Sequence, residues 1–224
     1  MRDKLYGGTV EMQVKGWWIV TPSTKGYSPE LDPWPFDPVK ARQLLAEAGY
    51  PGGRGFGKLI VNTQVSPYVA FLPESAQLGA DFWRRELGLD VEVKVGDAPN
   101  LTRQTAIAPA QFDGQILWRD QDTRLDAAGI LRLYYLTPQL GGPATRLHND
   151  TELFALVEQG LAVFVDPVEQ EKALNSTFRR LRDEAYTIPI GYINVPWGVG
   201  PRIARWEPFP LAQYASALHT IILK

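Results

Sequence analysis

The sequence predicts an α/β protein. Over residues 57–118 short strand-like apolar runs alternate with longer helix-like segments, and that alternation carries the reading. Two helices are opened by the same Asp-Pro pair, Asp37-Pro38 and Asp166-Pro167. Residues 1–36 hold Pro22, Pro29, Pro33 and Pro35 with Gly7, Gly8, Gly16 and Gly26 between them, which disfavours long helices and central strands. Trp17, Trp18, Tyr27 and Trp34 are too many large aromatics for a solvated linker, so extended chain packed over an apolar surface is expected there. The first helix has both ends written in. Asp37 caps the free N–H groups and Pro38 suits the first helical position. Ala41, Leu44, Leu45 and Ala48 make one apolar stripe, Gly49 takes the left-handed stop, and Pro51 prevents resumption.

Leu59-Ile60-Val61 then reads as a strand covered on both faces. Pro73 opens a helix with Ala76, Ala80, Trp83 and Leu87 on one face, widened by Leu78 and Phe82; Gly88 ends it. Val91, Val93 and Val95 alternate with Glu92 and Lys94, the period of a strand. A weaker helix follows over 101–108, then a strand through Ile116, Leu117 and Trp118. Strand, helix, strand, helix, strand at these spacings points to parallel strands, and such sheets bind ligands beyond their carboxyl ends. Further on, Leu153, Leu156, Val157, Leu161 and Phe164 form a helical stripe. Asp166-Pro167-Val168-Glu169 has the spacing of a capping box, and Leu174, Phe178, Leu181 and Ala185 line the helix behind it. Residues 188–196 and 219–223 read as strands.

Composition narrows the function classes. The 224 residues are 45% hydrophobic and 21% charged with a formal net charge of −2, ordinary for a globular protein and without the basic excess of a nucleic-acid-binding surface. No apolar run reaches the length of a membrane span. Cysteine is absent, so there is no disulfide framework, thiol nucleophile or thiolate metal site. The charged start Met1-Arg2-Asp3-Lys4 has no apolar core behind it and is not a signal peptide. Gly52-Gly53-Arg54-Gly55-Phe56-Gly57 follows a helix and precedes a strand, the reverse of a phosphate cradle, and is read as a loop.

The segment Phe36 to Pro51, with its Asp-Pro start and Leu-Leu-Ala-Glu-Ala-Gly-Tyr-Pro ending, resembles one typical of bacterial extracytoplasmic solute-binding proteins of the oligopeptide/dipeptide/nickel family, the capture components of ABC importers. Three further pieces resemble the same family in the same order. These are Gly79 to Asp97 with Glu86-Leu87-Gly88-Leu89-Asp90-Val91-Glu92-Val93, Phe112-Asp113 leading to Trp118, and Asn149 through Asp166, Ala185, Ile188-Pro189-Ile190, Trp197 and Trp206. The resemblance implies a periplasmic-binding-protein-like lobe of type II, matching domain III of a peptide-binding protein, with a mixed sheet flanked by helices. It divides the chain into a lead-in over 1–36, the C-terminal ligand-binding lobe over 37–187, and exit strands over 188–224 returning toward a first lobe expected before Met1. It further implies a non-enzymatic protein working in the periplasm or anchored outside the cell; no cofactor is expected, and two scattered histidines with no cysteine argue against a transition-metal site. Its partners would be a small solute or short peptide and, through the intact receptor, a membrane permease. The interlobe surface left exposed would be open to dimerisation, and nucleic acid is not a partner.

The resemblance places candidate ligand contacts at Trp118, Arg119, Asp120 and Asp122. In peptide-binding members a Trp on this strand packs against the ligand, and an Asp shortly after pairs with its α-amino group, a charge-assisted contact. Here the Trp comes one position early and the usual Asp-Pro pair is missing. Anchoring on Trp118 favours Asp120; counting without gaps from Phe112 favours Asp122. Trp118 either lines the cleft or belongs to the core, and the acids either meet an ammonium or sit solvated in a loop. Arg119 and Arg124 suit a carboxylate or hydroxyl-rich ligand.

Two rival classes stay open. The lobe could serve as the sensor of a regulator. Alternatively, Asp120, Asp122 and Asp126 could form a glycosidase-like carboxylate pair, although the two histidines, His148 and His219, are scattered and suggest no nucleophile–base arrangement.

Overall fold

The computed structural model of the chain describes residues 2–8, 10–12, 15, 20–107, 109–112, 114–120, 125–132, 150–163, 165–193, 197–208 and 217–224. Trp17, Trp18, Asp113, Asp122, Arg124, His148 and Phe164 lie outside the described residues. The elements in chain order are α1 (Arg2–Tyr6), β1 (Val10–Met12), α2 (Pro38–Glu47), β2 (Lys58–Val65), α3 (Leu72–Leu87), β3 (Asp90–Asp97), α4 (Ala98–Ile107) and β4 (Ile116–Leu117). After them come α5 (Ala127–Leu131), α6 (Thr151–Ala162), α7 (Pro167–Asp183), β5 (Gly191–Ile193), β6 (Ile203–Arg205) and β7 (Ile222–Leu223). They fall into two compact units, one built on Trp34–Asp120 with α1, the other on Val10–Pro33, residues 125–132 and Thr151–Lys224.

The first unit is the expected α/β layer. Its sheet has the order β3-β2-β4 with every pairing parallel, β2 meeting β3 from Lys58↔Asp90 to Val65↔Asp97 and β4 at Val61↔Ile116 and Asn62↔Leu117. Leu59, Val61 and Thr63 alternate into the interior, as a strand's period of two requires. On β3, the edge strand among the described residues, burial declines along the strand: Val91 is buried, Val93 half-buried and Val95 exposed. Helix α3 starts with Pro73 in its first turn and turns Leu72, Ser75, Ala76, Gly79 and Ala80 inward at helical spacing. Small residues at four of these five positions let other groups approach the helix backbone closely. The helix stops at Gly88 in left-handed backbone, φ 70°. Gly53 and Gly88 also let two loops meet, since a Cβ on Gly53 would lie 2.4 Å from the Gly88 carbonyl oxygen.

Helix α2 ends as the sequence predicts. The Asp37 side chain accepts from the Lys40 N–H, and Gly49 at φ 95° lets the Tyr50 N–H reach Leu45 O and its own N–H reach Ala46 O. Its apolar stripe is a correction. The helix buries no residue; Ala41 and Leu45 are only half-buried, and Leu44 is 52% exposed. Contact with α3 runs instead through Arg42, whose Nη1 donates to the Glu86 backbone oxygen and carboxylate, each at 3.2 Å.

In the second unit α6 packs on α7 through Leu153 and Val157 against Ala173, Leu174, Phe178 and Leu181. Gly160 brings Leu174 within 3.3 Å of where its Cβ would be. The Asp166 carboxylate caps α7 by accepting from the Val168 and Glu169 N–H groups, while the Glu169 side chain pairs with Lys172 at 2.6 Å. Residues 1–36 are less irregular than expected: besides α1, β1 pairs antiparallel with β5 at Val10↔Ile193, and Val20 and Leu31 are fully buried. The expected 188–196 strand is Gly191–Ile193 among the described residues, and the 219–223 segment is a 3₁₀ turn over Leu218–Thr220 before β7. β6 and β7 form a second antiparallel pair.

Candidate functional site

A parallel sheet gathers ligands at its carboxyl edge, where the chain reverses the direction in which it adds strands. Here that point lies between β2 and β4: from β2 the chain moves to β3 on one side, then returns to β4 on the other. Gln64 is the penultimate residue of β2, Ser66 follows the strand, and Asp120 follows β4. The structure brings the three together. Gln64 Nε2 donates to Asp120 Oδ1 at 2.8 Å and Ser66 Oγ donates to Oδ2 at 2.6 Å.

Trp118 sets this position. Its N–H donates to Asn62 O at 2.8 Å, carrying the ladder one residue past β4. Its indole is buried on α3, with Nε1 donating to Ser75 Oγ at 2.9 Å and the six-membered ring over Gly79. Trp83 meets it edge-on with centroids 6.2 Å apart. Of the two places the sequence leaves open for Trp118, the structure puts it between sheet and helix at 9% exposure. Arg119, the next residue, donates through Nη2 to Thr102 Oγ1 on α4 at 2.8 Å. Asp126 caps α5 by accepting from the Ala128 N–H at 2.8 Å, and His219 lies in the 3₁₀ turn of the second unit.

Among the described residues Asp120 accepts one hydrogen bond on each carboxylate oxygen, and it is half-buried; each oxygen has a second lone pair that can accept from an N–H donor. Gln64 is 5% exposed, and its Oε1 has no partner among the described residues. Ser66 Oγ in turn accepts from the backbone N–H groups of Tyr68 and Val69, both at 3.2 Å, which fastens the turn after β2. The arrangement presents a braced carboxylate at the carboxyl end of the sheet, chemistry that can accept from a cation carrying N–H donors. Among the described residues no three metal-ligating side chains cluster. Gln64 and Ser66 escaped the sequence reading. Their signal was position alone, two polar residues flanking the last residue of a strand. Beside the site a small depression of about 180 Å³ is lined by Asn62, Thr63, Lys94, Asp97, Asn100 and Gln104.

The fold is that of a periplasmic-binding-protein lobe. The family description "Bacterial extracellular solute-binding proteins, family 5 Middle" matches residues 1–139, and the chain belongs to that family. A short stretch is 59% identical over 34 residues to the glutathione-binding protein GsiB of Escherichia coli K12, covering 15% of this chain and 7% of that protein. Among solved structures, the Escherichia coli murein tripeptide binding protein MppA superposes with a TM-score of 0.72 at 18% identity, covering 100% of this chain and 42% of that one. HbpA2 of Haemophilus parasuis gives 0.70 at 18% identity, with the same coverage. The dipeptide binding protein of Pseudoalteromonas sp. SM9913 in complex with Met-Leu gives 0.68 at 18%, covering 86% of this chain and 36% of that one. The chain therefore spans about two-fifths of the length of the solved proteins whose fold it shares.

Proposed function

We propose that this chain is a ligand-binding lobe of the solute receptor of an ABC importer, acting outside the cytoplasm and taking short peptides or other small solutes that carry an ammonium group. The observation that carries the reading is the Asp120 carboxylate, held by Gln64 and Ser66 at the point where the sheet reverses its strand order. Family membership supports solute capture as the class of function. Asp120 supplies a charge-assisted contact to the ammonium, Arg119 beside it is available for a carboxylate or hydroxyl, and Trp118 acts as a positioning residue from the core rather than as a wall of the cleft. The second acid considered, Asp122, lies two residues further along and stays a candidate for the same ammonium. In the intact receptor a second lobe closes over the solute, and the closed form is what a permease recognises.

The test is a thermal-shift screen of the complete gene product against peptides, amino acids and N-acetylated peptides. Free-amine peptides raise the melting temperature and their N-acetylated forms do not. Asp120→Asn abolishes the shift. Equal shifts from free and acetylated peptides would defeat the assignment.

A further inference from the structure

From the last residue of β2 onward the chain turns three large apolar side chains toward solvent: Val65, Tyr68 and Phe71, 65%, 51% and 49% exposed. Phe71 does so from left-handed backbone, φ 62° and ψ 22°, a region bulky residues rarely occupy. It also stands at the N-cap of α3, where its side chain caps nothing; glycine, serine or aspartate would serve the helix better. Neither burial nor capping accounts for a phenylalanine here. Yet the ring is held: Tyr6 meets it edge-on at 6.2 Å, and the Tyr6 hydroxyl donates to Phe71 O at 3.5 Å. Strained backbone that keeps an aromatic ring in solvent beside a binding edge is an outlier that points to use.

The turn carrying these rings is tied to the carboxylate. One hydroxyl, Ser66 Oγ, donates to Asp120 and accepts from the N–H groups of Tyr68 and Val69. The Ser66 hydroxyl thus fastens the turn that carries both rings to the carboxylate that would hold an ammonium. We propose that Tyr68 and Phe71 form an apolar wall beside Asp120 that selects solutes with a large apolar or aromatic side chain next to the ammonium. This rests on the reading of Asp120 as the ammonium site. Desolvating such a side chain against two rings discriminates through area removed from water, and a small or acidic side chain gains nothing from it.

The complete gene product is titrated calorimetrically with the dipeptides Phe-Ala, Ala-Ala and Asp-Ala. The unmodified protein binds Phe-Ala about tenfold or more tighter than Ala-Ala, the order an apolar pocket supplies. Tyr68→Ala and Phe71→Gly each bring that ratio to about twofold and leave Ala-Ala affinity within about twofold. Glycine is at ease at φ 62°, so Phe71→Gly melts no lower than the unmodified protein, and its loss of selectivity is not unfolding. A preference that survives both substitutions, or none in the unmodified protein, overturns the wall. Asp120→Asn separates the two readings. Weakening all three dipeptides alike supports the ammonium site; unchanged affinities sink that assignment, while the Phe-Ala to Ala-Ala ratio in the Tyr68 and Phe71 variants still decides the wall.

Discussion

The six-membered ring of Trp118 is pressed against Gly79: a methyl group on Gly79 would stand 2.7 Å from Trp118 Cη2 and 2.8 Å from Cζ3. The missing side chain on α3 is what lets the indole sink between sheet and helix and reach Ser75 with its N–H. Since Trp118 immediately precedes Arg119 and Asp120, this contact fixes the strand exit from which both residues leave the sheet.

Gly79→Ala forces the ring or the helix to move, and overpacking of this kind costs about 1–3 kcal/mol. Ser75→Ala leaves the buried indole N–H unpaired, a loss of about 1–3 kcal/mol. Both are read by urea denaturation of the complete protein. Gly79→Ala also weakens solute binding, because it displaces the exit that carries Asp120; an unchanged affinity would show that the edge is positioned independently of the tryptophan.

Glu86 makes a prediction about acid. Arg85 Nε donates to its carboxylate at 2.9 Å, and Arg42 reaches it from α2 at 3.2 Å. The hydrogen bond from Arg85 first, and then the two positive charges and Arg42's own hydrogen bond, hold the Glu86 carboxyl below the ordinary glutamate range. The unfolded chain then binds the proton more readily than the folded one. The contribution is fully present above the unfolded value and is lost as pH falls through the folded value. The side chain is 31% exposed and screened by solvent, so the effect is seen in titration rather than in melting. Carboxyl NMR of Glu86 shows the lowered midpoint, and Arg42→Gln moves it part of the way back; an unmoved midpoint would remove Arg42 from the cause.

These relationships differ in how far the sequence announced them. Helix ends were legible because their chemistry is local: Asp37 caps Lys40, Asp166 caps Val168 and Glu169, and Gly49 takes the left-handed turn, all within a few residues. The parallel order was legible from alternating periods. The exposed stripe of α2 was not, since periodicity tells which residues share a face and not whether anything packs on it. The capping box was half right: Glu169 had a nearer cation in Lys172 and took it. The support of Asp120 was hidden for a third reason. Gln64 and Ser66 lie more than fifty residues away, and only the pairing of β2 with β4 makes them neighbours.

Ala185 closes helix α7 in the same way that Gly49 closes α2, with an N–H to Arg182 O at 2.9 Å and the following Tyr186 N–H to Leu181 O at 3.1 Å. It does so at φ 53°, where the alanine Cβ crowds its own backbone and glycine would not. The residue is exposed, so its methyl contributes little packing to set against that cost. Ala185→Gly therefore stabilises the protein by about 1 kcal/mol, after the entropy of the unfolded glycine is subtracted. The measurement is the denaturation midpoint at an unchanged slope. A lower midpoint would mean that the Ala185 methyl packs against something in the intact receptor, and the left-handed turn would then have to be maintained by that contact rather than by the two hydrogen bonds.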